Sequence, residues 1–119
     1  MLRMLRQRAE RAGVANVRPV LVTQEDPGLP PGAVDLILMV DVYHELPKPS
    51  VTLAQIADAL VSGGRLALVE YRAEDPKVTI KPEHKMTLEQ IRKELGANGW
   101  TFLSSDESLP QQRIVTFQR

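Results

Sequence analysis

Val34-Asp-Leu-Ile-Leu-Met-Val-Asp-Val-Tyr-His-Glu-Leu46 is the stretch whose reading decides how the rest of the chain is arranged. Leu36 to Val40 run without a polar residue, and only Asp41 separates them from Val42. A run that is apolar on both faces, rather than alternating, marks a central strand of a parallel sheet. Asp41, Tyr43, His44 and Glu45 then follow in close order. The carboxyl ends of strands in open parallel sheets face the ligand crevice. The stretch therefore predicts a buried strand that delivers polar side chains to a site.

Composition narrows the classes around it. A chain of 119 residues makes one domain, residues 1–119, with room for a real core. The 43% hydrophobic and 25% charged fractions are those of an ordinary globular protein. Lys+Arg and Asp+Glu balance at 15 each, which argues against a general nucleic-acid binder, because that needs a positive excess to neutralise phosphates. The absence of cysteine excludes disulfides and thiolate metal sites. No apolar run approaches the roughly 18 residues of a membrane span. Nor does the arginine-bearing N-terminal segment carry the apolar core of a secretory signal. A cytoplasmic location, with no membrane partner, is the expectation.

Working outward, Leu2, Leu5, Ala9 and Ala12 recur at helical spacing and predict a helix over 1–12, ended by Gly13. Its arginines read as a solvated face. Asn16–Thr23 predicts a short strand, held to an edge by Pro19, which has no N–H to give a ladder. Gln24–Gly32 is a turn-rich loop. The central strand covers about Asp35–Asp41. Thr52–Val61 predicts a second helix, started by the capping box Thr52/Gln55 and ended by Ser62-Gly63-Gly64. Arg65–Glu70 predicts the next strand, parallel to the first through a right-handed crossover. Tyr71–Lys85 lacks periodicity and reads as a functional lid or a mobile segment. Thr87–Leu95 predicts a third helix with the capping box Thr87/Gln90, closed by Gly96 and Gly99. Trp100–Ser104 and Arg113–Gln118 predict two strands whose short connection makes them an antiparallel hairpin. The expected fold is α/β, a mainly parallel sheet with a C-terminal antiparallel hairpin.

Three groups of polar residues fall at one edge of that sheet. Gln24, Glu25 and Asp26 follow the first predicted strand, Asp41 to Glu45 the central one, and Glu70, Tyr71 and Arg72 its neighbour. His44 beside Glu45 reads either as an acid/base pair or as a histidine that hydrogen-bonds within the loop. Asp41 reads either as a site residue or as a carboxylate accepting loop N–H groups. Trp100, Phe102 and Phe117 read as core. His44 and His84 with Asp41 and Glu70 offer ligand chemistry, but the sequence holds no HxxxH or comparable spacing, so no metal is expected. The chain also lacks GxGxxG, GxxxxGK[ST] and GxSxG, the short signals for phosphate binding and serine hydrolysis.

In order and spacing, Leu29-Pro30…Val34-Asp35-Leu36-Ile37-Leu38, Ser62-Gly63-Gly64-Arg65-Leu66, Gly99-Trp100 and the terminal hairpin resemble the class I S-adenosylmethionine-dependent methyltransferases. Within them the chain is similar to the small-molecule, methyltransferase type 11-like group. Glu70-Tyr71-Arg72…Ile80-Lys81…His84-Lys85-Met86 resembles one bacterial subgroup. The resemblance implies a Rossmann-like three-layer sandwich with strand order 3-2-1-4-5-7-6, S-adenosylmethionine as cofactor, and a small-molecule methyl acceptor. It implies that Gln24, Glu25, Asp26, Asp41, Val42 and Tyr43 meet the cofactor. It also implies that His44, Glu70, Tyr71, Arg72 and His84 meet the acceptor, with His44 as general base. The family opens with a strand, the glycine-rich turn E/D-x-G-x-G-x-G and a second strand ending in an acidic residue. These have no counterpart here, so the chain resembles the C-terminal portion of the domain, with the first two family strands missing. An edge left open in that way is expected to pair with another copy as a homodimer. The alternative function is then a non-catalytic interaction or dimerisation module derived from a methyltransferase. A receiver-like flavodoxin fold would also put Asp41 at a strand end, but the chain lacks that fold's acidic pair on an earlier strand.

Overall fold

The computed structural model describes residues 1–23 and 26–119. The decisive stretch forms β1, Val34–Val40, followed by a 3-10 turn over Tyr43–Glu45. Its parallel neighbour is β2, Leu60–Arg72, reached through α2, Pro49–Ala59. After the turn Pro82–His84 come the two-residue β3, Lys85–Met86, then α3, Leu88–Ala97, and the hairpin of β4, Thr101–Asp106, and β5, Gln112–Gln118. The sheet runs β1-β2-β5-β4, with β3 beside the end of β2. β1 and β2 are parallel, and the β2–β5 and β5–β4 pairs are antiparallel, as the sequence predicts.

The register explains the core. Ile37 lies opposite Leu66 and Met39 opposite Leu68, while Leu66 and Leu68 face Phe117 and Val115 on the other side. Alternation puts all six on one sheet face. Leu53 and Ile56 of α2 and Ile91 and Leu95 of α3 pack on that face, together with Trp100. Phe102 meets Phe117 edge to face, with ring centroids 5.9 Å apart. Trp100 and Phe117 are buried and Phe102 is partly so, in line with their reading as core.

The opposite face corrects the expectation of a buried central strand: among the described residues β1 is the edge strand of the sheet, and none of its residues is fully buried. Leu36 is 56% exposed and Leu38 59%, and Val40 is exposed as well. The first helix, α1, Leu2–Arg11, buries none of its residues. The Cα radius of gyration, 15.4 Å, exceeds the value of about 13.5 Å that a compact chain of this length would have. The segment before β1 thus adds extent without adding core.

Four local expectations are corrected. The strand predicted within Asn16–Thr23 does not form; the segment is irregular and Val20, Leu21 and Val22 are exposed. A strand needs a partner for its N–H and C=O groups, and among the described residues no strand pairs with this one. In their place Thr23 and Asp26 exchange main-chain hydrogen bonds at 3.1 and 3.3 Å, and Asp26 Oδ1 accepts from the N–H of Gly28. Next, α2 starts three residues before the Thr52/Gln55 box. Pro49 begins it, because a first-turn position needs no N–H and the ring presets φ. Ser62-Gly63-Gly64 is not the helix cap either: α2 passes straight into β2, and the glycines sit where the register jumps from Val34–Leu60 to Leu36–Arg65. Gly63 takes φ +77° there, and a Cβ on Gly64 would stand 2.9 Å from the Val61 carbonyl oxygen. Finally, Gly96 lies inside α3, and Asn98 is the C-cap. The start of α3 is as expected, with Thr87 Oγ1 accepting from the N–H of Gln90 at 3.0 Å.

Arg113, 4% exposed, is the buried cation of the fold. Its Nε and Nη2 donate to Glu107 at 2.8–3.0 Å, and its Nη1 donates to Glu74 at 2.8 Å. Arg72 donates to the carbonyl oxygens of Leu109, Pro110 and Gln112. The two arginines hold the β4–β5 connection against the segment after β2. Burial works against the charged form of Glu74, yet hydrogen bonds from Arg113 and from the N–H of Leu88 outweigh it and hold its carboxyl below the usual range. The hydrogen bond from Arg113 holds Glu107 low as well. No helix among the described residues is long and apolar enough to cross a membrane.

Two stability experiments follow from this layout. Leu68→Ala opens the shared core and is expected to cost about 2–5 kcal/mol in urea unfolding, whereas Leu5→Ala on unburied α1 stays within about 0.5 kcal/mol. Both carboxyls beside Arg113 titrate lower in the folded than in the unfolded chain. Their contribution is complete above the ordinary carboxylate value of 4.5 and is lost as pH falls from there through the depressed folded values. Glu107→Gln should therefore have a lower thermal midpoint at neutral pH and a shallower further loss on acidification; a curve parallel to that of the parent would refute the coupling.

Candidate functional site

Where β1 ends, the chain turns sharply. Asp41 takes φ +56°, a left-handed conformation that Asp tolerates better than most residues, and its N–H donates to the Val69 carbonyl at 2.9 Å. The 3-10 turn that follows carries Tyr43, His44 and Glu45 over the carboxyl end of β2. Glu70 waits there, 0% exposed. Its Oε1 accepts the main-chain N–H of His44 at 3.1 Å, and its Oε2 lies 2.7 Å from His44 Nδ1. A carboxylate only accepts, which assigns the ring proton to Nδ1 and leaves the lone pair on Nε2. Burial pushes the Glu70 carboxyl above its ordinary range, while both His44 hydrogen bonds pull against that push.

Around this pair the expected residues divide. Asp41 accepts from the Gln112 amide at 2.8 and 2.9 Å, so β5 fixes its carboxylate. The His84 ring stands 5.3 Å from that of His44, brought in by the turn that precedes β3. Glu45 Oε1 lies 3.7 Å from His44 Nε2. Val42 is exposed and Tyr71 is half-buried. Arg72 is turned to the hairpin carbonyls described above. Gln24 and Glu25 lie outside the described residues, and Asp26 is engaged in its own turn.

Two residues stand out that sequence reasoning did not join. Tyr43 is 2% exposed, and neither its hydroxyl nor Glu94 Oε2, also buried, has a hydrogen-bond partner among the described residues. Burial, then the charges of Glu94 and Glu70, push the Tyr43 hydroxyl up to about 12. Burial raises the Glu94 carboxyl as well. Both line a polar cleft of about 270 Å³ together with His44, Pro82, Lys85 and Gln90. The helical stripe Leu88, Ile91, Leu95 was legible in sequence, but a polar residue beside it carried no separate signal. A second cleft, about 440 Å³ and mainly apolar, opens between α2 and the residues Val22, Thr23 and Pro27, with Met39, Leu46, Val51 and Ile56 in its walls.

Known proteins place this arrangement. The chain is similar in fold to a SAM-dependent methyltransferase from Aquifex aeolicus, at 20% identity and TM-score 0.90, covering 98% of this chain and 62% of that one. It is similar to the cyclase SpnF, at 15% identity and TM-score 0.80, covering 99% and 62%. It also matches the 1,6-didemethyltoxoflavin-N1-methyltransferase of Burkholderia thailandensis, whose structure holds S-adenosylhomocysteine, at 18% identity and TM-score 0.71, covering 97% and 56%. The chain thus spans less than two thirds of the length of each. No curated protein sequence matches it. The sheet order β1-β2-β5-β4 is the 4-5-7-6 half of the order expected from the resemblance. The methyltransferase domain profile matches residues 1–68, more than half of the chain. With that match and this topology, the chain belongs to the methyltransferase domain family, in its class I, type 11-like branch.

Proposed function

We propose that this chain supplies the acceptor side of an S-adenosylmethionine-dependent methyltransferase acting on a small molecule. The observation that carries the reading is His44, held by buried Glu70 at the carboxyl ends of two parallel strands and bordering a polar cleft. The adenosine part of the cofactor fits the larger, apolar cleft flanked by Thr23 and Pro27. No residue of this chain forms the glycine-rich turn that would hold its methionine end. When bound, S-adenosylmethionine supplies a methyl group on a positively charged sulfur.

The chain's own residues act on the acceptor. Tyr43 and Glu94 line the cleft, and the Tyr43 hydroxyl and Glu94 Oε2 lie buried beside it without a partner among the described residues, at a desolvation cost of about 1–3 kcal/mol each. A volume of about 270 Å³ limits that acceptor to a small molecule. His44 takes the proton of the acceptor O–H or N–H at Nε2 while the heteroatom takes the methyl. Glu70 holds the ring in position and balances the imidazolium that results. Holding the acceptor in line is the remaining contribution, and it needs no covalent enzyme intermediate.

A second reading rests on a different observation. Among the described residues β1 leaves one edge unpaired beside exposed Leu36, Leu38 and Val40. Such an edge is a template for pairing with another chain, and a second copy would make this a homodimerising, non-catalytic module.

Calorimetric titration with S-adenosylhomocysteine separates the two. Binding is expected, and His44→Ala should lower kcat by about 10²–10⁴-fold with little change in cofactor KM. No heat at millimolar ligand would overturn the enzymatic reading for this chain. Sedimentation that gives a monomer at all concentrations would overturn the dimer. The His44–Glu70 geometry has its own check: nitrogen NMR of the ring should report a single Nδ1–H tautomer, replaced by a mixture in Glu70→Gln.

A further inference from the structure

We propose that His44, Glu45 and His84 form a binding site for a divalent transition metal ion of the zinc class. The three side chains each offer one ligand atom, and these atoms lie within 4.8 Å of one another. Two imidazoles and one carboxylate are a known donor set for zinc, with the fourth tetrahedral position left to water or to a ligand atom. Metal–ligand bonds of about 2.0–2.2 Å put neighbouring ligand atoms of a tetrahedron about 3.3–3.6 Å apart. The cluster must therefore contract by little more than 1 Å, about the reach of a side-chain rotation. Glu45 and His84 are the exposed members and can supply that movement.

The surroundings of His44 argue for a ligand and not merely for a surface ion pair. A metal-bound histidine nearly always donates its other ring N–H to a carboxylate or a carbonyl, which fixes the tautomer and makes the free nitrogen more basic. Glu70 does this for His44 at 2.7 Å from a fully buried position, and it also takes the main-chain N–H of the same residue. The nitrogen thereby presented, Nε2, is the one nearest Glu45, at 3.7 Å. His84 approaches from a separate turn 40 residues later in the chain, brought there by the pairing of Tyr71 with Lys85 and of Arg72 with Met86. The site adjoins the polar cleft that His44 lines. It stands independently of methyl transfer, although a bound ion would occupy the same nitrogen that a general base needs.

The test uses the full chain and the metal alone. Calorimetry with zinc chloride in a non-chelating buffer should give one equivalent bound, and cobalt(II) should give the intense visible bands of a tetrahedral N/O site. His84→Ala and Glu45→Gln alter exposed side chains, so far-UV circular dichroism should be unchanged. Each should weaken zinc binding by more than tenfold, and Glu70→Gln by about 10–100-fold. Glu89→Gln, on the exposed face of α3, should bind as the parent does. Absence of binding at millimolar zinc overturns the proposal, and so does an affinity left unchanged by either His84→Ala or Glu45→Gln.

Discussion

A carboxylate sealed from water at the end of a strand must be answered by donors, and Glu70 is answered twice by one residue. The ring and the main chain of His44 both donate to it. Loss of either bond would leave a buried acceptor unpaired, at a cost of about 1–3 kcal/mol or more for a charged group. This requirement ties the turn after β1 to the end of β2, and so sets the mouth of the site. Tyr43 is carried under the turn into the core, and Glu45 is carried outward. The Asp41–Gln112 bond adds β5 to the same corner. Three strands thus converge on a few residues whose orientation none of them would settle alone.

The rest of the architecture is lopsided. One sheet face carries two helices and nearly all of the buried apolar residues, while the β1 edge and part of the other face are bare. The Arg113 cluster and Arg72 reinforce the hairpin side, where β4 would otherwise depend on β5 alone for main-chain pairing. The core is shared by the elements from β1 to β5, and the segment before β1 adds little to it. The larger, apolar cleft falls on the bare edge, and the polar cleft beside His44 falls over the well-packed half. A fold does not by itself dictate chemistry; the similarity to a cyclase as well as to methyltransferases is a reminder of this. What distinguishes this chain's chemistry is His44, Glu70 and the cleft beside them.

The sequence was legible where local physics and tertiary demand agree. The apolar run of β1 makes a strand parallel to β2, although one of its faces stays exposed, and the Thr87 cap needs only its own turn. The short link between the last two strands forces the hairpin. It was less legible where two local signals competed. Pro49 prevailed over Thr52 as the start of α2, because a first-turn proline costs no hydrogen bond. The glycines at 63 and 64 looked like a helix stop, but they serve a bulge inside β2. Asn16–Thr23 has the composition of a strand and no neighbour to pair with.

By itself the sequence determined the parallel β1–α2–β2 unit, the α3 cap, the terminal hairpin and the polar cluster at the strand ends, because each follows from periodicity, capping or loop length within a short window. Only the tertiary structure decided which of those polar groups meet. Glu70 reaches His44 because β2 runs on past the end of β1, where Val40 pairs with Val69, and His84 reaches His44 because β3 pairs with the last two residues of β2. Arg113 finds Glu74 and Glu107 because the antiparallel register of β5 brings it there. Such meetings depend on residues far apart in the chain, and no spacing within the sequence encodes them.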